Sequence, residues 1–435
     1  MPKSGLQIYI FVLLVTVGAA AQTPPPTTPA LTLQDALQRA KANSVQFRSA
    51  MTDAKIAHED AVQARAAILP SVAYDNTYLY TEGTGASIPR FIANNAVHEY
   101  ISQGNAHEAI NLGTGAFADI HRARAAEALA RAKADVAIRG LVVTVVQNYY
   151  GFIAGQKKVV NSQAAATEAE NFLNLSKKLE NGGEVAHSDT IKAQLQYNDR
   201  SRDAMEAQLA ADKAKLGLAV LIFPNFNQDF SVVDDLDAAP PLPTMAQTEE
   251  LSKKNNPDLR VALESVKSAA AEVSVARGAH FPTLSLDYWY GIDAAQFAVR
   301  SPDGVRNLGY SAAATLNIPI WNWGAIQSKV RQAEYRQQQA KVELSAAQRQ
   351  LIANLRTFYA EAEIAQKELD TLKQSADLAA ESLRLTTLRY QAGEATALEV
   401  VDAQNTLVMD RSLLADGAVR YRMALANLQT LTGTF

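Results

Sequence analysis

Between residues 283 and 320 the apolar positions fall on every second residue. Leu284, Leu286, Tyr288, Tyr290 and Ile292 alternate with Ser285, Asp287, Trp289, Gly291 and Asp293. Leu308, Tyr310, Ala312, Ala314, Leu316, Ile318 and Ile320 form a second such run. Val72, Tyr74, Tyr78 and Tyr80 alternate with Ser71, Asp75 and Thr77, and a weaker run sets Ile110 and Leu112 against His107, Asn111, Gly113 and Gly115. Period two predicts four β-strands. Elsewhere the spacing is three and four. Leu351, Leu355, Phe358, Ala362, Ala365, Leu369, Leu372, Ala376, Ala379 and Leu383 predict one long helix over about 325–391. Leu129, Ala132, Val136, Val143, Val146, Tyr150 and Ile153 predict another over about 118–180, with Arg139 interrupting. A helix of about 63 residues runs about 95 Å, longer than a globular domain, so these read as coiled-coil rods.

The pattern occurs twice. At a shift of 212, Ile68-Leu69-Pro70-Ser71-Val72 aligns with His280-Phe281-Pro282-Thr283-Leu284, Phe47-Arg48 with Leu259-Arg260, and Asp75 with Asp287. At a shift of 210, Gly183-Glu184 matches Gly393-Glu394, Asp189 matches Glu399, and Ala193-Gln194 matches Ala403-Gln404. The chain therefore reads as a tandem repeat over 31–222 and 244–435, joined by a Pro- and Asp-rich linker at 223–243. Each repeat orders a helical stretch (32–68, 244–279), a β-hairpin (71–117, 283–320), the long helix, a Gly turn and a return helix (about 184–221 and 394–430). Pro70 and Pro282 end the first helices. Ser188 and Thr396 are candidate caps of the return helices. The first and return helices of a repeat together match the long one in length, and so can stack end to end antiparallel to it. Residues 81–105 and 294–307 are expected as loops at the far ends of the hairpins.

Residues 1–21 change the compartment. Lys3, the apolar run Leu6 to Val17 and Ala19-Ala20-Ala21 predict a cleaved signal peptide, followed by a Pro-rich segment at 22–31. A run of twelve residues is too short to cross a bilayer. With no cysteine, disulfides, thiolate metal sites and a lipidated N-terminal Cys are excluded. A formal charge of −4 argues against a nucleic-acid binder that needs a basic face.

The alternating runs suit either a soluble antiparallel sheet with one buried face or transmembrane barrel strands with aromatic ends. Four strands cannot close a barrel, and an open sheet cannot sit in lipid with unpaired edges. In a membrane, protomers would have to share the barrel. Three of them supply 12 strands and 12 helical rods, and a rotationally closed ring satisfies both layers.

With these elements in place the sequence resembles the outer membrane efflux protein (TolC) family over Leu31 to Thr432. The segments that carry the resemblance are Asn255-Asn256-Pro257-Asp258-Leu259, Phe281-Pro282-Thr283-Leu284, Tyr390-Gln391-Ala392-Gly393-Glu394 and Leu398-Glu399-Val400-Val401-Asp402-Ala403-Gln404. The resemblance implies a mainly α protein with a membrane β-barrel. It would be a homotrimer whose 12-stranded barrel spans the outer membrane and whose α-barrel crosses the periplasm. Its partners would be outer-membrane lipid, a periplasmic adaptor protein and an inner-membrane pump. Its role would be a passive exit duct for efflux or type I secretion.

Site expectations follow. Glu399 and Asp402 share one helix face and correspond to acidic gate positions of the family; facing inward in a trimer they would form two carboxylate rings that attract cations. A solvated acidic face at a helix N-terminus is the plainer account of the same two residues. Asp189 is the first-repeat counterpart of Glu399, and Lys192 stands where Asp402 would be. Tyr390 matches a tyrosine that helps hold the family's closed tip. Its arginine partner, two residues after the glycine, is Ala395 here. Asp75 and Asp287 are expected on the lumen face of the barrel. Tyr78, Tyr80, Tyr288 and Tyr290 are expected in an outer aromatic girdle and Trp321 and Trp323 in a periplasmic one.

Catalysis has no motif. The six histidines are scattered without ligand spacing, no phosphate loop occurs, and no cofactor is implied. His98-Glu99 and His107-Glu108 read as solvated positions. Two rivals remain: a soluble periplasmic coiled-coil scaffold, and a secreted enzyme with an unrecognised site. Drugs, metal ions and polypeptides all stay open as cargo.

Overall fold

In the computed structural model, which describes residues 30–80, 98–113, 115–225, 229–238 and 240–434, the chain folds into helical rods carrying one four-stranded sheet. The expected signal peptide and most of the Pro-rich segment lie outside the described residues, as does most of the first external loop.

The first helical stretch of each repeat is two helices rather than one. A short strand, β1 (Ala30–Leu31), leads into α1 (Leu33–Asn43) and α2 (Val45–Ala66). The break is Ser44, whose extended ψ of 117° ends α1 while its hydroxyl caps α2 by accepting the Phe47 N–H at 3.2 Å. In the second repeat, α5 (Met245–Asn255) and α6 (Pro257–Gly278) break at Asn256. Pro257 disfavours helical geometry there, and the Asn256 side chain accepts the Leu259 N–H at 2.9 Å. Ser44 and Asn256 are 212 residues apart, the register of the repeat. A uniform apolar stripe hid these breaks, because a cap residue interrupts the backbone without interrupting the pattern.

The long helices are α3 (Gly115–Asn181) and α7 (Ala325–Gln391); α4 (His187–Ile222) and α8 (Ala397–Thr432) return from them. α2 and α4 both lie along α3, and α6 and α8 both lie along α7 and α3. The first-repeat seam turns more tightly than the sequence suggests: Val142, Val145, Val146, Tyr149, Tyr150 and Ile153 are buried, while Val143 is only partly so. They form the largest core with Leu218, Ile222, Phe230 and Leu236, where a two-residue strand β4 (Ser231–Val232) pairs in parallel with β1. The Tyr149 hydroxyl sits 3.1 Å from the Leu31 carbonyl and 2.9 Å from that of Val233, tying the linker to the first repeat. Arg139, which interrupts the stripe, is ion-paired with Asp258 of the second repeat.

The sheet consists of β2 (Ser71–Tyr80), β3 (His98–Asn111), β5 (Thr283–Ala294) and β6 (Leu308–Asn317), all antiparallel in that order. Two expectations shift. β3 takes in residues 98–105, which read as loop because Ser102, Gln103, Gly104 and Asn105 mask the alternation. β6 stops at Asn317, since Pro319 has no N–H to continue a ladder. Within the chain β2 and β6 are edges. Gly291 is required by close approach: a Cβ there would come within 2.4 Å of the Gln103 Cα.

Candidate functional site

Two glycines close the far end of the rods. Gly393 at φ +74° follows α7, and Gly183 at φ +76° follows α3. In both turns a backbone N–H reaches back over the helix end, from Glu394 to the Arg389 carbonyl (2.8 Å) and from Glu184 to the Leu179 carbonyl (2.9 Å). The repeats thus share a turn, but their polar groups differ.

In the second repeat Thr396 caps α8 in a reciprocal box. Its hydroxyl accepts the Glu399 N–H at 3.3 Å, and the Glu399 carboxylate accepts the Thr396 N–H at 3.0 Å. The Arg389 guanidinium adds an ion pair to Glu399 at 3.5 Å and donates to the Glu394 carbonyl at 3.0 Å. These bonds, the Thr396 N–H first, hold the Glu399 carboxyl below the usual carboxylate range. Asp402, one turn on, is exposed, and among the described residues its carboxylate has no ion-pair partner. In the first repeat Ser188 is no cap. α4 starts one residue before it, with Ala186 at the cap position and no side-chain bond, so Ser188 lies inside the first turn. Asp189 instead pairs with Lys192 at 3.4 Å, and His187 with Glu180 at 2.7 Å.

Tyr390 joins the two repeats. It is 2% exposed, stacks edge-on against Phe172 at 5.1 Å, and its hydroxyl lies 3.2 Å from that of Ser176, itself 0% exposed. Phe172, Leu173, Leu383, Val400 and Leu407 surround this contact. Ala395 packs against the same cluster. The cation of this turn is therefore Arg389, which precedes Tyr390 and reaches Glu399 rather than the opposite repeat. Ser176, Phe172 and Arg389 carried no signal in the sequence, because a serine or phenylalanine on a coiled-coil seam looks like any other seam residue.

Cross-strand partners share a face, so the register sorts the sheet. Asp75 pairs with Gln103 and Asp287 with His107, and these lie with Asn105, Ser285 and Asn317 on one polar face. His107, read as solvated, bonds Asp287 through Nδ1 at 2.6 Å. The opposite face carries Val72, Tyr74, Tyr78, Tyr80, Tyr288, Tyr290 and Leu316. Tyr288 and Tyr290 are level with Val72 and Tyr74, whereas Tyr78 and Tyr80 sit further along β2, so the four tyrosines share a face but not a level. Trp321 and Trp323 follow β6 with rings 5.7 Å apart; Trp323 is 89% exposed. No helix among the described residues is long and apolar enough to cross a membrane.

Residues 250–434 match the model of the family described as outer membrane efflux protein. Across nearly the whole chain, the proteases secretion protein PrtF of Dickeya chrysanthemi is 24% identical, over 98% of this chain and 92% of its own. The outer membrane protein TolC of Escherichia coli (strain K12) is 23% identical over 92% of this chain and 82% of its own. The open-state MtrE outer membrane channel of Neisseria gonorrhoeae shares the fold, with a TM-score of 0.78 at 20% identity over 92% of this chain and 88% of that one. The family model thus falls on the second repeat, while likeness to TolC and PrtF runs through both repeats.

Proposed function

We propose that the chain is the exit duct of a tripartite efflux or type I secretion system, a homotrimer that spans the outer membrane and reaches through the periplasm to an adaptor and an inner-membrane pump. The observation that carries this is the sheet: four strands, one mostly polar and one mostly apolar and aromatic face, and two edges that pair with nothing among the described residues. Such a sheet meets lipid only when its edges are closed by other copies. Three copies give 12 strands, with Asp75 and Asp287 toward the lumen and the tyrosine-bearing face toward lipid.

The rods support the same closure. α2 and α4 flank one side of α3, in line with edge strand β2, while β6 runs into α7 on the other flank. α4 carries exposed Ile191, Leu195, Met205, Leu209, Leu216 and Val220, and α7 carries exposed Tyr335, Val342, Leu378, Leu385 and Leu388. Stripes of this length on opposite flanks suit a head-to-tail ring. Trp321 and Trp323 serve as the periplasmic interface pair. The gate is the tip, with Glu399 and Asp402 as carboxylate rings, Asp189 as a lesser lining group and Tyr390 as the latch. Fractionation of the expressed protein tests the reading. Recovery from the outer membrane, at a detergent-corrected mass three times that of the mature chain, is the expected result. A soluble periplasmic monomer overturns it.

A further inference from the structure

Midway along the rods, far from both sheet and tip, a cavity of about 610 Å³ opens where the two repeats meet. Its walls come from α1, α3, α5, α6 and the end of α8, all within one chain. Four cations line it: Lys41, Arg139, Lys254 and Arg260. Only two carboxylates answer them. Arg260 pairs with Asp135 at 2.9 Å and Arg139 with Asp258, a crossed pair that fixes both guanidinium groups between α3 and α6. Lys41 and Lys254 have no hydrogen-bond or ion-pair partner among the described residues. The helix ends beside them are already satisfied: Asn256 donates to the Leu431 carbonyl at 3.2 Å, Asn43 to that of Ile222 at 2.8 Å, and the Ser44 and Asn256 N–H groups close α1 and α5. The two ammonium groups are therefore not needed as caps. The wall opposite is tight, since a Cβ on Gly433 would come 2.8 Å from the Asn255 carbonyl oxygen.

We propose that this cavity binds a soluble polyanion, a small molecule carrying two or more phosphate or carboxylate groups. Two oriented guanidinium groups and two free ammonium groups are the donor set such oxyanions take, and the excess of two positive charges is what a dianion offsets. The position along the rod selects the source. Arg139 is 24 residues from the start of α3, about 36 Å below the sheet, and 42 residues from its end, about 63 Å from the tip. A lipid headgroup in the bilayer cannot reach it, so the ligand comes from solution.

Isothermal titration of the purified full-length protein with inorganic pyrophosphate, and separately with citrate, tests this. At least one probe should bind saturably, one per chain. Binding should weaken about tenfold in the K41Q/K254Q double variant, as loss of two solvent-facing charge pairs predicts. It should also fall as ionic strength rises from about 0.1 M to about 1 M, where the Debye length shrinks from about 10 Å to about 3 Å. The control K341Q/K373Q, two exposed lysines of α7, should bind as the unaltered protein does. Failure of both probes to bind, wild-type affinity in K41Q/K254Q, or equal loss in the control overturns the proposal. Because every wall belongs to one chain, the result does not depend on the duct reading.

Discussion

Replacing Tyr390 by Phe removes one oxygen from the tip and little else. The ring remains against Phe172, so the packing survives, but the bond to Ser176 at 3.2 Å is lost. A net intramolecular hydrogen bond contributes about 1 kcal/mol, and stranding a fully buried Ser176 hydroxyl adds up to about 2 kcal/mol more. If the proposed trimer opens by parting α7 from α3, three latches act together. At about 1 kcal/mol each, the closed state loses about 3 kcal/mol, roughly a hundredfold in the closed-to-open ratio. Single-channel recording in planar bilayers reads that ratio directly. Y390F should open more often, S176A should do the same, and the double variant should add little, because each single change already breaks the same bond. Wild-type gating in both single variants would refute the latch. Simple additivity in the double variant would show that the two hydroxyls act separately.

Other consequences can be checked in parallel. Glu399→Ala with Asp402→Ala should weaken cation selectivity and block by multivalent cations; unchanged conductance and block would remove both residues from the gate. The folded Glu399 carboxyl lies below its ordinary value, so its bonds stabilise the start of α8 above about pH 4.3 and are lost as pH falls through the lower folded value. Amide exchange in residues 397–400 should therefore quicken only in acid, and should do so at neutral pH in Glu399→Ala, which removes the acceptor of the Thr396 N–H. Burial pushes the Tyr150 phenol up to about 12, with the Arg422 guanidinium pulling it partly back, so its ionisation in the folded protein should be absent from an ultraviolet titration near pH 10. Stability should drop as pH rises above about 10, where only the unfolded chain releases this proton. Gly393→Ala places a Cβ at φ +74° and should cost about 1 kcal/mol, seen as faster proteolysis of the tip with the sheet unaffected.

The sequence made visible what repeats and what alternates. The shift of 212 located both hairpins and both long helices, and alternation named the apolar positions of β2, β5 and β6 that share one face. It could not show Ser44 and Asn256 breaking the first helices, because a capping side chain alters the backbone and leaves the apolar period intact. It missed the first half of β3, where small polar residues on both faces mimic a loop. At the tip, Thr396 was legible as a candidate cap of α8, whereas Ser176 and Arg389 carried no signal. The partners of those two residues are 214 and 10 positions away, and only the folded chain sets them side by side.

The two tips began as one element, and their divergence says which of them is braced. Position 210 residues before Tyr390 is Glu180, which turns to His187 in its own hairpin instead of crossing to the other repeat. Where Thr396 caps α8 with Glu399, Ala186 leaves α4 without a side-chain cap. Where Arg389 clamps the α7 turn beside a capping box, the α3 turn has the His187–Glu180 and Asp189–Lys192 pairs and no side-chain cap. The second-repeat hairpin therefore carries both the side-chain cap and, through Tyr390, the cross-repeat contact, while the first-repeat hairpin supplies the buried surface it leans on. If the tip moves as a gate, the α7–α8 hairpin should swing as a unit about its contact with α3, since its own turn is the better bonded of the two. Swapping the turn segments, so that residues 391–399 carry the first-repeat sequence 181–189, should loosen the gate as much as Y390F does, although Tyr390 and both glycines stay in place. A swap that left gating unaltered would mean that the duplicated turn geometry alone sets the closed state.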